Sequence, residues 1–272
     1  MTGPPTTGGV VSAPRVSAVV PTCDRPALLA RALRSIAAQD TAPAEVIVVD
    51  DGSPLHAEAV RRSVGASQIP DIQLVTTARA AGPSGARNAG AARATGDLLA
   101  FLDDDDEWLP AYLTETTRLV VAHGLDVVLT DLQYRYDDGH EQAGKSAPAG
   151  LVVDDFLTRN PGLIGSNLVI RRALYHALGG FDDSLHAAED MDFGIRLSLH
   201  PSVRYAPLRH RLVRHFQHRG TRLCTPRGDA MRRGIRRFYE LHASRMTEAQ
   251  RSAFRTSVRK LWGFDELGCD TA

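Results

Sequence analysis

Asp103, Asp104, Asp105, Asp106 and Glu107 form an unbroken run of five acids directly after the apolar segment 97–102 (Asp-Leu-Leu-Ala-Phe-Leu). Carboxylates packed this closely repel one another and raise each other's pKa unless positive charge sits among them. One chemistry that relieves them is a hard divalent cation held by oxygen ligands and itself holding phosphates. The other reading is an acidic turn in front of a helix that begins near Pro110, with Asp106 near its N-cap. A second acidic site, Asp50-Asp51-Gly52-Ser53, closes the apolar segment 45–49. A carboxylate there can accept from a base N–H or a ribose hydroxyl while Gly52 permits a tight turn, although Asp-Gly-Ser is also an ordinary turn sequence.

Such sites need a scaffold that delivers several strand ends to one edge. Residues 16–20 form an apolar run ending in Pro21-Thr22, and 45–49, 72–76 and 97–102 read as further buried strands. A helical pattern covers 26–38, with Leu28, Leu29, Leu33 and Ile36 on one face and Pro26 in the first turn. A second covers about 55–65, and 82–94 reads as loop and helix. This alternation predicts an α/β fold, a mostly parallel sheet with right-handed crossovers and flanking helices. In such sheets ligands sit at the carboxyl ends of the strands, where both acidic clusters fall. Further on, 126–130 and 163–170 read as strands, 137–150 as a loop, and 171–178 and 189–199 as helices separated by Gly179-Gly180-Phe181. Two basic helical patterns, about 228–243 and 247–261, close the chain.

With 272 residues, 43% hydrophobic and 24% charged, the chain has ordinary globular composition. Net charge is zero, yet 201–260 holds sixteen of the thirty-two Lys/Arg and only three acids. That stretch predicts either a face able to meet phosphates, an anionic acceptor or a membrane surface, or plain solvated helix faces. The three cysteines, Cys23, Cys224 and Cys269, are far apart and argue for a reducing compartment rather than a disulfide framework or zinc site. No apolar run approaches membrane-spanning length. Residues 1–14, rich in Gly, Pro and Thr, lack the regions of a signal peptide and read as a disordered leader. A cytoplasmic location is expected.

Five motifs occur in order: Val19-Val20-Pro21-Thr22-Cys23-Asp24-Arg25-Pro26, Val48-Val49-Asp50-Asp51-Gly52-Ser53, Gly82-Pro83-Ser84-Gly85-Ala86-Arg87-Asn88-Ala89-Gly90, Phe101 through Pro110, and Gly179-Gly180-Phe181-Asp182 followed by Ala188-Glu189-Asp190-Met191-Asp192. Each alone is common; together and in this order they are specific. On them the chain resembles the inverting, family 2-type glycosyltransferases of the GT-A fold, from about residue 16 to about 221. The resemblance implies a GT-A domain over 15–225, with a nucleotide-binding half (15–124) and an acceptor-binding half (125–225), and a helical extension over 226–272.

By the same resemblance, Pro21, Thr22, Asp24 and Arg25 lie in the first nucleotide loop, and Asp51 matches the carboxylate that reads the uracil edge, with Asp50 beside it. Arg87 matches the basic residue near the nucleotide and diphosphate. Asp103-x-Asp105 matches the Asp-x-Asp element: Asp105 is then the metal ligand, and Asp103 or Asp104 contacts ribose or a metal-bound water. Mg²⁺ or Mn²⁺ suits such an all-oxygen site, where it would neutralise the departing nucleoside diphosphate. Asp190 falls where the family carries the base that takes the acceptor hydroxyl proton, with Asp192, two residues on, as the alternative; acids there also complement a helix dipole. In the late basic loop, His218 is the preferred contact to diphosphate or metal, and His215 the second. Trp108, Ser166 and Asn167 fall where acceptor contacts are expected, and equally where core or turn residues stand.

The chain lacks a Gln-x-x-Arg-Trp motif, which points to a single transfer rather than processive polymer synthesis. It also lacks a Gly-x-x-x-x-Gly-Lys-Ser/Thr loop and a strand-borne Gly-x-Gly-x-x-Gly turn, which disfavours an ATPase or a dinucleotide oxidoreductase. The expectation is metal-dependent transfer of one sugar from a UDP-sugar, with inversion, to an acceptor hydroxyl on a small molecule, glycan or lipid-linked glycan. No nucleic-acid partner is expected, and the basic C-terminal helices could touch a membrane peripherally. The competing readings are a sugar-phosphate nucleotidyltransferase, disfavoured by Pro-Thr-Cys-Asp-Arg-Pro after the first strand, and a silent nucleotide-sugar-binding relative.

Overall fold

The structure, a computed structural model, describes residues 13–52, 71–77, 82–217 and 228–264. The helix expected over 55–65, most of the leader, and His218 lie outside the described residues. Four strands, β1 (Val16–Thr22), β2 (Glu45–Asp50), β3 (Ile72–Thr76) and β4 (Leu98–Phe101), pair in parallel in the spatial order β3-β2-β1-β4. The sheet continues through β5 (Glu107–Trp108), β6 (Val127–Tyr136), β7 (Glu141–Ala143), β8 (Leu168–Arg171) and β9 (Tyr205–Gln217). Its full order is β3-β2-β1-β4-β8-β6-β9-β5, with β7 hung on β6. β8 runs antiparallel to β4 and β6, β9 parallel to β6, and β5 antiparallel to β9.

Two helical layers bury this sheet. Strand alternation sends Ala18, Val20, Val46, Val48 and Ala100 to the face covered by α1 (Pro26–Ala37), while Val19, Ile47, Val49, Leu99 and Phe101 face α2 (Gly82–Arg93). Helix α2 lies so close to the sheet that a Cβ at Gly90 would overlap Val19 and Val49. α3 (Tyr112–His123) joins α1 on the first face. The second face also takes α4 (Val153–Thr158), α5 (Arg172–Ala177), α6 (Glu189–Leu199), α7 (Asp229–His242) and α8 (Glu248–Trp262). Met231, Ile235, Phe238, Phe254 and Val258 of the last two helices share one core with Leu168 and Phe193.

Three stretches differ from the expected elements. The loop 137–150 contains β7, which returns along β6 by a tight turn. The strand expected at 126–130 runs on to Tyr136 through a bulge at 130–132, because β9 supplies a parallel partner along its length. Residues 163–167 end in a 3-10 turn, Gly165–Asn167, so β8 is confined to Leu168–Arg171.

Candidate active site

Strand β4 leads into the acid run, and its acids meet basic groups brought by several other elements. Arg87 of α2, only 1% exposed, donates from Nη2 to Asp103 Oδ1 at 2.6 Å and lies 3.8 Å from Glu189 Oε1. Arg25, just before α1, donates from Nε to Asp104 Oδ2 at 3.1 Å and from Nη1 to Asp105 Oδ2 at 3.1 Å; its Nη2 pairs with Asp104 Oδ1. Arg31 of α1 donates to the Asp105 carbonyl at 2.6 Å and pairs with Glu107 at 3.3 Å. His215 Nδ1 of β9 stands 3.0 Å from Asp106 Oδ1, which also accepts from the Phe216 N–H at 3.1 Å. Asp106 is therefore a brace to β9 rather than a helix cap; Ala111 occupies that cap position.

The consequences differ along the run. Asp104 is fully buried, accepting from Thr22 Oγ1 at 2.7 Å as well as from Arg25. Burial pushes its carboxyl up to about 7, against the opposing charge of Arg25. It braces the loop after β1. Asp103, Asp105 and Asp106 each offer a carboxylate oxygen within 4.8 Å of the others. Three hard oxygens at this spacing match the donor chemistry of Mg²⁺ or Mn²⁺.

Across from the run, α6 opens at Glu189 after Ala188, a non-glycine residue at φ +63°. Asp190 Oδ1 is enclosed and has no hydrogen-bond partner among the described residues. Burial and the neighbouring Glu189 raise the Asp190 pKa well above the ordinary aspartate value, while Arg87 and His215 oppose the shift. Arg87 thus joins two acidic groups that are distant in sequence, the end of β4 and the start of α6. Asp192 is held differently: Arg196 Nε donates to its Oδ2 at 2.8 Å, and His242 Nε2 lies 2.9 Å from its Oδ1. Burial works against ionised Asp192, but the His242 and Arg196 contacts outweigh it and hold its pKa below the ordinary value.

The strand ends that were expected to meet a nucleotide sit together. Register pairs Thr22 with Asp50, and both are buried, as is Pro21. Asp51 Oδ1 accepts from Thr77 Oγ1 at 2.9 Å and Oδ2 from the Gly82 N–H at 3.0 Å, tying β3 to α2. Asp24 is exposed at φ +52°, a left-handed turn that Asp tolerates better than most residues. Of the two histidines in the late basic loop, His215 is the one seen against the acid run; His218 lies outside the described residues.

Trp108 resolves as a core residue: its ring stacks on Tyr112 at 4.5 Å and its Nε1 donates to the Ser166 carbonyl at 2.8 Å. Ser166 Oγ accepts from the Asp103 N–H at 3.1 Å, and Asn167 donates to the Thr130 and Gly162 carbonyls. Both are fully buried formers of the 3-10 turn that steadies the acid run. Sequence reasoning missed the parts played by Arg31 and Glu189. A paired-charge argument could have found Arg31, since five consecutive acids need more cations than Arg25 and Arg87 supply.

The model of glycosyl transferase family 2 matches residues 17–179. Among curated relatives, the succinoglycan biosynthesis protein ExoO of Rhizobium meliloti is 32% identical over 213 residues, covering 71% of this chain and 60% of that protein. The putative colanic acid biosynthesis glycosyl transferase WcaA of Escherichia coli is 31% identical over 192 residues, covering 68% and 66%. The GalNAc(5)-diNAcBac-PP-undecaprenol beta-1,3-glucosyltransferase of Campylobacter jejuni is 36% identical over 101 residues, covering 37% and 33%. The chain thus spans from a third to about two thirds of the length of these relatives. Staphylococcus aureus TarS (residues 1–349) in complex with UDP-GlcNAc superposes with a TM-score of 0.66 at 21% identity, covering 92% of this chain and 73% of that one. The GT-A-like sheet expected from the motifs is the fold observed. Because the family model covers more than half of its length, the chain belongs to glycosyl transferase family 2.

Proposed function

We propose that this chain transfers a single sugar from a UDP-sugar to an acceptor hydroxyl, with inversion at the anomeric carbon and Asp190 as the general base. The observation that carries the reading is the Arg87 bridge: one buried guanidinium pairs with Asp103 at 2.6 Å and with Glu189 at 3.8 Å. It brings the residue next to Glu189 to the end of the strand that bears the acid run. Asp190 suits the role better than Asp192, because both oxygens of Asp192 are engaged by Arg196 and His242. A carboxyl with a raised pKa and an oxygen lacking a hydrogen-bond partner among the described residues is, once ionised, a stronger proton acceptor than an ordinary aspartate.

Asp105, with Asp103 and Asp106 in reach, would hold Mg²⁺ or Mn²⁺, which when bound neutralises charge on the departing diphosphate. Thr22, Asp24, Asp50 and Asp51 at the ends of β1 and β2 would form the wall for base and ribose, with Asp104 and Arg25 bracing it from behind. The donor assignment draws on TarS, whose structures were determined with UDP-GlcNAc and with UDP. The name of the Campylobacter relative includes a PP-undecaprenol-linked substrate, which makes a lipid-linked acceptor one class to screen.

Calorimetric titration with UDP, GDP, ADP and TDP, with and without Mn²⁺, tests the reading. Metal-dependent binding of UDP alone is expected. Binding of none, or equal binding without metal, overturns it.

A further inference from the structure

Asp190 lies between two contacts made by the same distant helix. On one side is the turn 186–188, which ends at Ala188 with φ +63°, a conformation that a side chain with a Cβ adopts only under strain. Helix α7 runs with its backbone against this turn: a Cβ at Gly234 would lie 2.8 Å from the Ala187 nitrogen and 2.9 Å from the His186 nitrogen. On the other side is Asp192, whose Oδ1 lies 2.9 Å from Nε2 of His242, the last residue of α7. Both partners of that pair are buried. The remaining Asp192 oxygen is held by Arg196, which also donates from Nη1 to the carbonyls of Leu178 and Gly180, each at 2.7 Å.

Gly234, Phe238 and His242 follow one another at intervals of four residues, so they share one face of α7. Phe238 anchors the middle of that face, with its ring 4.9 Å from His242 and 5.5 Å from Phe254 of α8. A rigid helix therefore touches the chain three to four residues before Asp190 and again two residues after it. We propose that α7 is the positioning element for Asp190, acting through Gly234 on the strained turn before it and through His242 on Asp192 after it. The proposal rests on the reading of Asp190 as the base. Neither Gly234 nor His242 touches substrate; they fix where the carboxylate of Asp190 stands.

The test uses the full chain and the variants His242→Leu, which deletes the contact, His242→Gln, which keeps an N–H donor, and Gly234→Ala. Release of UDP from UDP-GlcNAc and UDP-glucose gives kcat and KM, calorimetry gives UDP affinity, and amide hydrogen exchange reads residues 186–192 without requiring turnover. Expected are a kcat at least tenfold lower in His242→Leu and Gly234→Ala, UDP affinity within twofold of the parent, recovery of most of kcat in His242→Gln, and faster exchange confined to 186–192. Adding Ala188→Gly to Gly234→Ala should restore part of the rate, because glycine adopts the left-handed turn without strain. Unchanged exchange at 186–192, unchanged kcat, or a matching loss of UDP affinity overturns the proposal. Gly234→Ala provides the test if His242→Leu fails to fold. Asp190→Asn separates the two readings: full turnover there removes the base assignment, whereas a dead Asp190→Asn beside fully active α7 variants removes only the positioning role.

Discussion

Arg87 of α2 and Asp103, just beyond the end of β4, are joined by a 2.6 Å ion pair, and the arginine side chain is all but sealed from solvent. The same guanidinium faces Glu189 and stands over the Phe181 ring at 5.1 Å. A buried cation with two acidic partners is costly to remove, because the carboxylates it leaves behind cannot all ionise. Arg87→Met should therefore destabilise the protein by about 3–5 kcal/mol, the usual cost of breaking a buried ion pair. Arg87→Lys should recover only part of this, since a point charge cannot serve two carboxylates in the geometry of a planar fork. Urea denaturation midpoints check both. A loss below about 1 kcal/mol for Arg87→Met would mean that the bridge does not organise the site.

What could be read along the chain was local. The limits of β3 and α6 match the expected 72–76 and 189–199, because each is bounded by its own turn residues and carries its own periodicity. Strand β9 escaped because Arg209, His210, Arg211 and Arg214 break its apolar pattern, with Leu208, Val213 and Phe216 as its buried residues. Its existence depends on pairing with β6, about eighty residues earlier, and on β5, two residues long. The site divides in the same way. The acid run and Asp190 were visible as motifs, but the basic groups that make the run tolerable come from α1, α2 and β9. Trp108 and Ser166 offered equal claims to pocket and core until the fold set them against each other.

Asp190→Asn should lower turnover by about 10²–10⁴, the range typical of losing a general base, while UDP binding persists. It should also raise the thermal midpoint. The folded-state pKa of Asp190 lies above its unfolded value, owing to burial and Glu189, so the native state binds the proton more tightly. Stability then falls as pH rises from the unfolded value through the raised folded value, so above the unfolded value the buried carboxyl costs stability. An uncharged amide removes that cost. If Asp190 is the base, turnover of the parent protein should show an acid limb, falling as pH drops through the raised pKa. A lower midpoint in Asp190→Asn, or a rate independent of pH on the acid side, would contradict the assignment.

Asp192 should behave in the opposite sense. Its contacts to His242 and Arg196 outweigh burial and depress its folded-state pKa, so it contributes stability above the ordinary aspartate value of about 3.9, and that contribution disappears as pH falls through its folded value. Asp192→Asn should lose roughly 2 kcal/mol or more at pH 7, because Arg196 and His242 are left facing an amide where they met a carboxylate. The difference between parent and variant should then shrink steadily below about pH 4, where the parent carboxylate is itself being protonated. Denaturant unfolding from pH 7 down to the acid limit measures both curves. A gap that stays constant into strong acid would show that Asp192 works through shape and packing, and that its charge does not hold α7 against the start of α6.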